Sequence, residues 1–418
     1  HTVHYTKAWR LQHHFLSQGR LIGWSDSWFA GYPAQYLYPI GADLWIILVN
    51  ALSFGLLGLS AAYAVGVYLV WALQGWSVYL FARAGFSRVT GVLAGALLMS
   101  DTGAFRFGGW VYTMEWAVWP QTLAMAFMLI ALAKLPTLAQ RRELWPIGFA
   151  AIFISAAIMT HPAMLLLLVC VCAAAILALW LAPHMKTTRI TGLIRILGSA
   201  GIGLLISAAW FIPFFSVRKS STPYGTQWNN AEAMAQQLYG ANIFPGTWAP
   251  ITVLGVLGIV AMLASRRFFH TFIGLLVIII LTASSTTFLA QLHLTSLLDS
   301  LTFIQFQRFS MMLKPLWYIL AVYGSFAILR HAVAALGRGG LEDQGQEQLD
   351  ATPIRWREHG ASLGARILLI LTLCAPVLFH FGYHWGKKHL ARNLTEESSR
   401  PYRSDRAEFT RWAKTNLE

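Results

Sequence analysis

Apolar stretches recur along the whole of this chain, and lysine and arginine crowd into every second gap between them. That alternation constrains the fold more than any motif does. A run of about 20 apolar residues crosses a bilayer as a helix, and basic loops stay on the cytoplasmic side. The stretches run 61–81, 89–100, 117–133, 146–160, 162–181, 196–215, 251–264, 268–290, 309–329 and 367–385. The expected fold is an all-α integral membrane protein of about ten transmembrane helices. Stretches 89–100 and 251–264 are short for a straight crossing, so they borrow flanking residues or are broken helices buried among neighbours.

Fifteen of the 31 lysines and arginines fall in one set of gaps, whereas the alternate gaps hold only Arg106, Arg218, Lys219, Arg308 and Lys314. The sparse gaps are therefore expected outside the cytoplasm, with both ends of this segment extracytoplasmic. Composition agrees, because a soluble domain could not solvate a chain that is 56% hydrophobic and 11% charged. The net charge of +14 follows from the loop bias and a basic tail, so no nucleic-acid partner is implied.

Segment 40–59 is apolar too, but counting it as a span would put every later arginine cluster outside. It reads as a helix lying in the outer interface or re-entering it, with Asp43 and Asn50 partly wet; the alternative is an ordinary span. The organisation expected is an extracytoplasmic loop at 1–60 containing that helix, a transmembrane domain at 61–385 with a cytoplasmic loop at 331–365, and the start of an extracytoplasmic segment at 386–418. Part of the cytoplasmic loop, 337–350, reads as a flexible linker. Residue 1 is histidine, so at least one span is expected to precede it, and a soluble part to follow. Cys170, Cys172 and Cys374 all lie in spans as packing residues.

The remaining acidic residues, Asp26, Asp43, Asp101, Glu115, Glu232 and Asp299, map to the outer side among many tryptophans and tyrosines. Carboxylates among aromatic faces suit a sugar, whose hydroxyls seek acceptors and whose C–H faces stack on rings; the alternative is the aromatic belt of any membrane interface. Two segments concentrate these features. One runs from Trp24 through Asp26, Trp28, Gly31, Tyr32 and Pro33 to Tyr38, after a short helix at 11–18 carrying His13 and His14. The other runs from Asp101 through Arg106 and Trp110 to Glu115 and Trp116, with Gly103, Gly108 and Gly109 letting the backbone approach a ligand.

The residues 1–9, 16–24 and 28–33, with Thr160-His161-Pro162, Gln307-Arg308-Phe309 and the tail 403–412, resemble a bacterial membrane-protein family described as YfhO-like or related to 6-pyruvoyl-tetrahydropterin synthase. That family is similar in layout to GT-C glycosyltransferases, with a large first outer loop containing interfacial helices. The resemblance implies sugar transfer from a polyprenyl-phosphate donor, in the bacterial cytoplasmic membrane, to a glycan, lipid or protein acceptor in the cell envelope. It also implies a carboxylate base in the first outer loop, and a divalent cation or positive side chain at the departing lipid phosphate. Asp26 is the candidate base, with Asp101 as a second carboxylate or metal ligand that alternatively caps or pairs with Arg106. The related loops carry an acid near their start, where this chain has His1 and Thr2; that acid either lies upstream or is replaced by histidine.

Arg308 is the candidate phosphate partner, and a snorkelling arginine is the alternative. His161 is placed to bind phosphate or a proton, or is structural. Trp28, Tyr32 and Trp110 are assigned to the sugar, with Arg106 and Glu115 beside them. His1, His4, His13 and His14 lack matched acidic ligands, so no metal is assigned to them. The rival functions are a lipid or polysaccharide transporter or flippase, and a noncatalytic membrane scaffold. A transporter would place ionisable residues at mid-membrane, where the spans hold almost none.

Overall fold

The computed structural model describes residues 1–25, 31–36, 38–105, 107–141, 143–217, 230–293 and 308–337. Every apolar stretch within them is helical. The stretch 367–385 and the linker beyond residue 337 lie outside the described residues.

The chain opens with α1 (Thr2–Arg10), which continues through a turn of π-helix, Leu11–Phe15, and a 3-10 turn, Leu16–Gln18, ending at left-handed Gly19. The helical segment expected at 11–18 is thus the tail of a longer one. A two-stranded antiparallel ribbon follows, β1 (Gly23–Ser25) with β2 (Tyr32–Ala34), in which Trp24 faces Pro33. Three-residue strands carry no readable period, and the sequence signalled only the turn.

Helix α2 (Gly41–Leu52) has 12 residues, about 18 Å of rise, which is too short to cross a hydrocarbon core of about 30 Å. Phe54 and Gly55, both at positive φ, reverse the chain into α3 (Leu59–Gly85), and α2 packs against it through the Trp45 Nε1 hydrogen bond to the Gly66 carbonyl at 3.0 Å. Asp43 departs from the expected wet position. It is buried, accepts from Gln35 at 2.9 Å and pairs with Lys7 at 3.7 Å. A buried carboxylate persists only with such partners.

The bundle continues with α4 (Arg88–Met99), α5 (Trp119–Leu132), α6 (Leu135–Gln140), α7 (Trp145–Ile158), α8 (Ala163–Leu181) and α9 (Arg189–Val217). Then come α10 (Ala231–Tyr239), α11 (Ala249–Ala264), α12 (Phe268–Ala283), α13 (Thr286–Gln291) and α14 (Phe309–Gly337). Among the described residues five helical segments are long and apolar enough to cross a membrane: Leu59–Gly85, Trp119–Gln140, Ala163–Leu181, Arg189–Val217 and Met311–Ala332. The apolar α2, α4, α7, α11 and α12 are shorter. Stretch 268–290 is two helices, because Ser284 and the extended Ser285 break the ladder between α12 and α13.

Helix starts follow local chemistry. Pro120, Pro146 and Pro250 stand in first turns, where a missing N–H costs nothing. Ser87 caps α4 by accepting from the Thr90 amide at 3.1 Å. Helices α11 and α14 approach closely through small residues: a methyl on Gly255 would enter the Trp317 ring, and one on Gly258 or Gly324 would strike a backbone carbonyl of the other helix. Trp317 Nε1 donates to the Ile251 carbonyl at 3.1 Å across that seam.

Candidate functional site

One end of the bundle gathers α1, the ribbon, the segment between α4 and α5, the turn between α7 and α8, and the start of α14. Gly41 N–H donates to the Met159 carbonyl at 2.5 Å, and His1 bonds the Tyr63 hydroxyl at 3.0 Å and the Met114 carbonyl. Trp119 Nε1 donates to the same Tyr63 hydroxyl at 3.0 Å.

The 101–116 segment is anchored by Asp101. Its carboxylate is fully buried, receives the Gly103 N–H at 2.9 Å and lies 2.6 Å from Lys314 Nζ on α14. The Trp110 and Val111 amides close the loop onto the carbonyls of Asp101 and Thr102 at 2.9 and 2.8 Å. Gly103, Gly108 and Gly109 all have positive φ. Their role differs from the expected approach to a ligand. A Cβ at Gly103 would collide with the Gly108 carbonyl, and one at Gly109 with the Gly103 backbone, so these glycines let two strands of one loop cross. Beneath them lies a recess of about 400 Å³ of open space, lined in part by Gln74, Thr113, Gln121 and Lys314.

The second constellation is cationic. Tyr38 stands between His4 and His161, with ring centroids 6.0 and 5.9 Å away, and the Lys7 ammonium lies 4.2 Å over its face. Arg308, at the start of α14, is close enough for its charge to act on both imidazoles. Gln121 Nε2 holds the Arg308 carbonyl at 3.2 Å, while Arg308 Nε is buried without a hydrogen-bond partner among the described residues. His161 is buried in the turn before α8, where its Nδ1 accepts the Ala163 N–H at 3.3 Å; the acceptor role fixes the proton on Nε2 in the neutral ring. Burial first, then the charge of Arg308, holds His161 well below the usual histidine range. His4 stacks edge-on against Trp119 at 5.5 Å and bonds the Ala117 backbone, while its buried Nδ1 has no partner among the described residues.

The structure therefore brings Arg308 and His161 together and adds His4 to them. His4 carries a weak signal in the sequence: it stands three residues before Lys7, on one face of α1. Asp101 and Trp110 lie in the anchored loop, Trp110 packing against Tyr68 and Trp71 with centroids 5.8 Å away. Tyr32 lies on β2 beside Lys7, Arg10 and Gln35 around a smaller recess. Glu115 ends a turn of π-helix, Val111–Glu115, with an exposed side chain. Asp26, Trp28 and Arg106 fall outside the described residues. Among the described residues no three His, Cys, Asp or Glu side chains are placed to hold a metal ion, and Asp101 is already engaged by Lys314.

These features define an all-helical membrane protein. Residues 17–418 match the family described as a family of unknown function, DUF6541, and the chain belongs to that family. No curated protein matches it. Among solved structures the chain is similar to the archaeal oligosaccharyltransferase AglB from Archaeoglobus fulgidus, solved with an inhibitory peptide and a dolichol-phosphate, at a TM-score of 0.51 and 12% identity, covering 91% of this chain and 51% of that one. The apo form of the Archaeoglobus fulgidus oligosaccharyltransferase aligns at a TM-score of 0.48 and 12% identity over 90% and 51% of the two chains. This chain thus spans about half the length of those proteins, and the likeness is one of fold: GT-C-like, the part of the expected resemblance that it supports.

Proposed function

We propose that this chain is a membrane-embedded GT-C-like glycosyltransferase that moves a sugar from a polyprenyl-phosphate donor to a glycan, lipid or protein acceptor on the extracytoplasmic side of a bacterial cytoplasmic membrane. The observation that carries this reading is that His4 and His161 flank Tyr38 within reach of the charge of Arg308, whose Nε is buried without a hydrogen-bond partner among the described residues. A charge desolvated in this way calls for an anion, and a lipid phosphate at the membrane boundary supplies one.

In the reaction the acceptor hydroxyl attacks the anomeric carbon, its proton passing to a carboxylate base, for which Asp26 is the candidate. The anomeric carbon–oxygen bond breaks with its electron pair staying on the prenyl phosphate, where Arg308 and the histidines stabilise the added charge. Tyr32, Trp110 and Trp28 are assigned to the sugar, with Arg106 and Glu115 bordering it. Asp101 serves by holding the 101–116 segment, paired as it is with Lys314. The fold likeness to a protein solved with a dolichol-phosphate supports a lipid-linked donor.

The test is release of polyprenyl phosphate by purified protein in nanodiscs, across a panel of polyprenyl-phosphate sugars. Asp26→Ala is expected to abolish release, and Arg308→Ala to weaken donor affinity by about 10- to 100-fold, as loss of a charge-assisted contact does. Absence of both release and donor binding, or full activity in Arg308→Ala, would refute the reading.

A further inference from the structure

We infer that His4 completes the anion site formed by Arg308 and His161, and that it takes up one proton from solvent as the donor phosphate enters. The inference rests on the glycosyl-transfer reading and deepens it by giving His4 a protonation step at the lipid phosphate.

The geometry is specific. One ring nitrogen of His4 is committed to the Ala117 carbonyl, and among the described residues the buried Nδ1 has no hydrogen-bond partner. In the neutral ring the nitrogen bonded to a carbonyl carries the proton, so Nδ1 is left as an acceptor. A phosphate oxygen is an acceptor as well, and the two repel. Protonation turns Nδ1 into a donor and the repulsion into a charge-assisted hydrogen bond.

The groups facing His4 have the same bias. From α1 comes Lys7, from the start of α14 comes Arg308, and from the turn before α8 comes His161. Tyr38 and Trp119 present neutral rings. Asp43 on α2 is taken by Lys7 at 3.7 Å and by Gln35 at 2.9 Å. Burial first, then the charges of Lys7 and Arg308, keep the ring neutral and push His4 down to about 3. An entering phosphate cancels that repulsion and supplies the missing acceptor. The transfer then adds one negative charge to the prenyl phosphate as it becomes a monoester, and the imidazolium is already in place to offset it.

The probe is methyl farnesyl phosphate, a phosphodiester with no proton to gain near neutral pH, bound to the protein in nanodiscs and followed by titration calorimetry from pH 5.5 to 8. Repeating the titration in two buffers of different ionisation enthalpy counts the protons taken up. For the wild type, uptake approaching one proton is expected, with affinity rising by up to about tenfold for each pH unit lowered. His4→Gln should bind the diester more weakly than the wild type and show no pH slope, while His161→Gln should keep the slope. Proton-independent binding by the wild type, or a slope unchanged in His4→Gln, would overturn the role of His4 and leave the lipid-phosphate reading standing. Failure to bind the diester at any pH would bring down both. The proton count on the wild type decides the matter even if a variant folds poorly.

Discussion

Lys314 Nζ lies 2.6 Å from the carboxylate of Asp101, and both side chains are buried. The pair ties the first turns of α14 to the loop that joins α4 to α5, and so fixes Arg308 relative to the 101–116 segment.

Because each charge is the other's main compensation, removing one should cost far more than removing both. Asp101→Asn or Lys314→Met alone is expected to destabilise the protein by about 3–5 kcal/mol. The double variant Asp101→Leu with Lys314→Met should recover much of that loss. Thermal unfolding in nanodiscs measures the three against the wild type. Equal losses in single and double variants would mean that the ion pair is not what holds the loop.

The loop glycines make a ranking. All three have positive φ, at +64° for Gly103, +73° for Gly108 and +79° for Gly109, so alanine at any of them pays about 1–2 kcal/mol for a left-handed backbone. At Gly108 nothing more is added, since the nearest atom to a new methyl is Lys314 Cδ at 3.7 Å. At Gly103 and Gly109 the methyl meets backbone. Gly103→Ala and Gly109→Ala should therefore lower the melting temperature more than Gly108→Ala, and should speed hydrogen exchange in peptides covering 101–116. An equal effect at all three sites would count against a crossed loop.

What the sequence could carry was whatever acts locally. Apolar length located the helices, and proline in first turns fixed several of their starts. The interfacial placement of segment 40–59 rests on charge bookkeeping over the entire chain; the structure makes the segment a 12-residue helix, α2, followed by a turn. Pairings over long separations were not legible. Asp101 had Arg106 as its visible neighbour, yet its partner is Lys314, because the fold, and not the spacing, decides which buried cation is within reach. Asp43 likewise looked exposed until α1 brought Lys7 to it. His161 and Arg308 drew notice as polar residues at the ends of apolar runs. His4 stood out only beside His1, His13 and His14, as a set without acidic partners; the packing of α1 against Trp119 puts it beside Tyr38 instead.

The cation cluster should also make stability depend on pH. His4 is pushed down to about 3 in the fold, against 6.5 when exposed, and His161 is lowered as well. Between those limits the unfolded chain binds more protons than the folded one, so stability falls as pH drops below 6.5. In the absence of phosphate esters, the melting temperature should fall from pH 7.5 to 5, and the fall should be shallower in His4→Gln and in His161→Gln. Saturating phosphodiester should reduce it in the wild type. Parallel melting curves for wild type and both variants would remove the buried imidazoles as its cause.

Every functional assignment above places α1, the ribbon and the start of α14 on the side away from the cytoplasm, and that placement has its own test. Arg20 and Glu143 are both exposed, one following α1 and the other between α6 and α7, so they sit in gaps assigned to opposite sides. In a background with Cys170, Cys172 and Cys374 replaced, Arg20→Cys should react with a membrane-impermeant maleimide in intact cells. Glu143→Cys should react only after the membrane is opened. The physical reason is the basic bias of the loop that holds Lys134, Arg141 and Arg142, since positive residues beside a span are retained on the cytoplasmic side. The reverse pattern of labelling would turn the bundle over, put the Arg308 cluster in the cytoplasm, and leave a lipid-linked donor on the outer face without access to it.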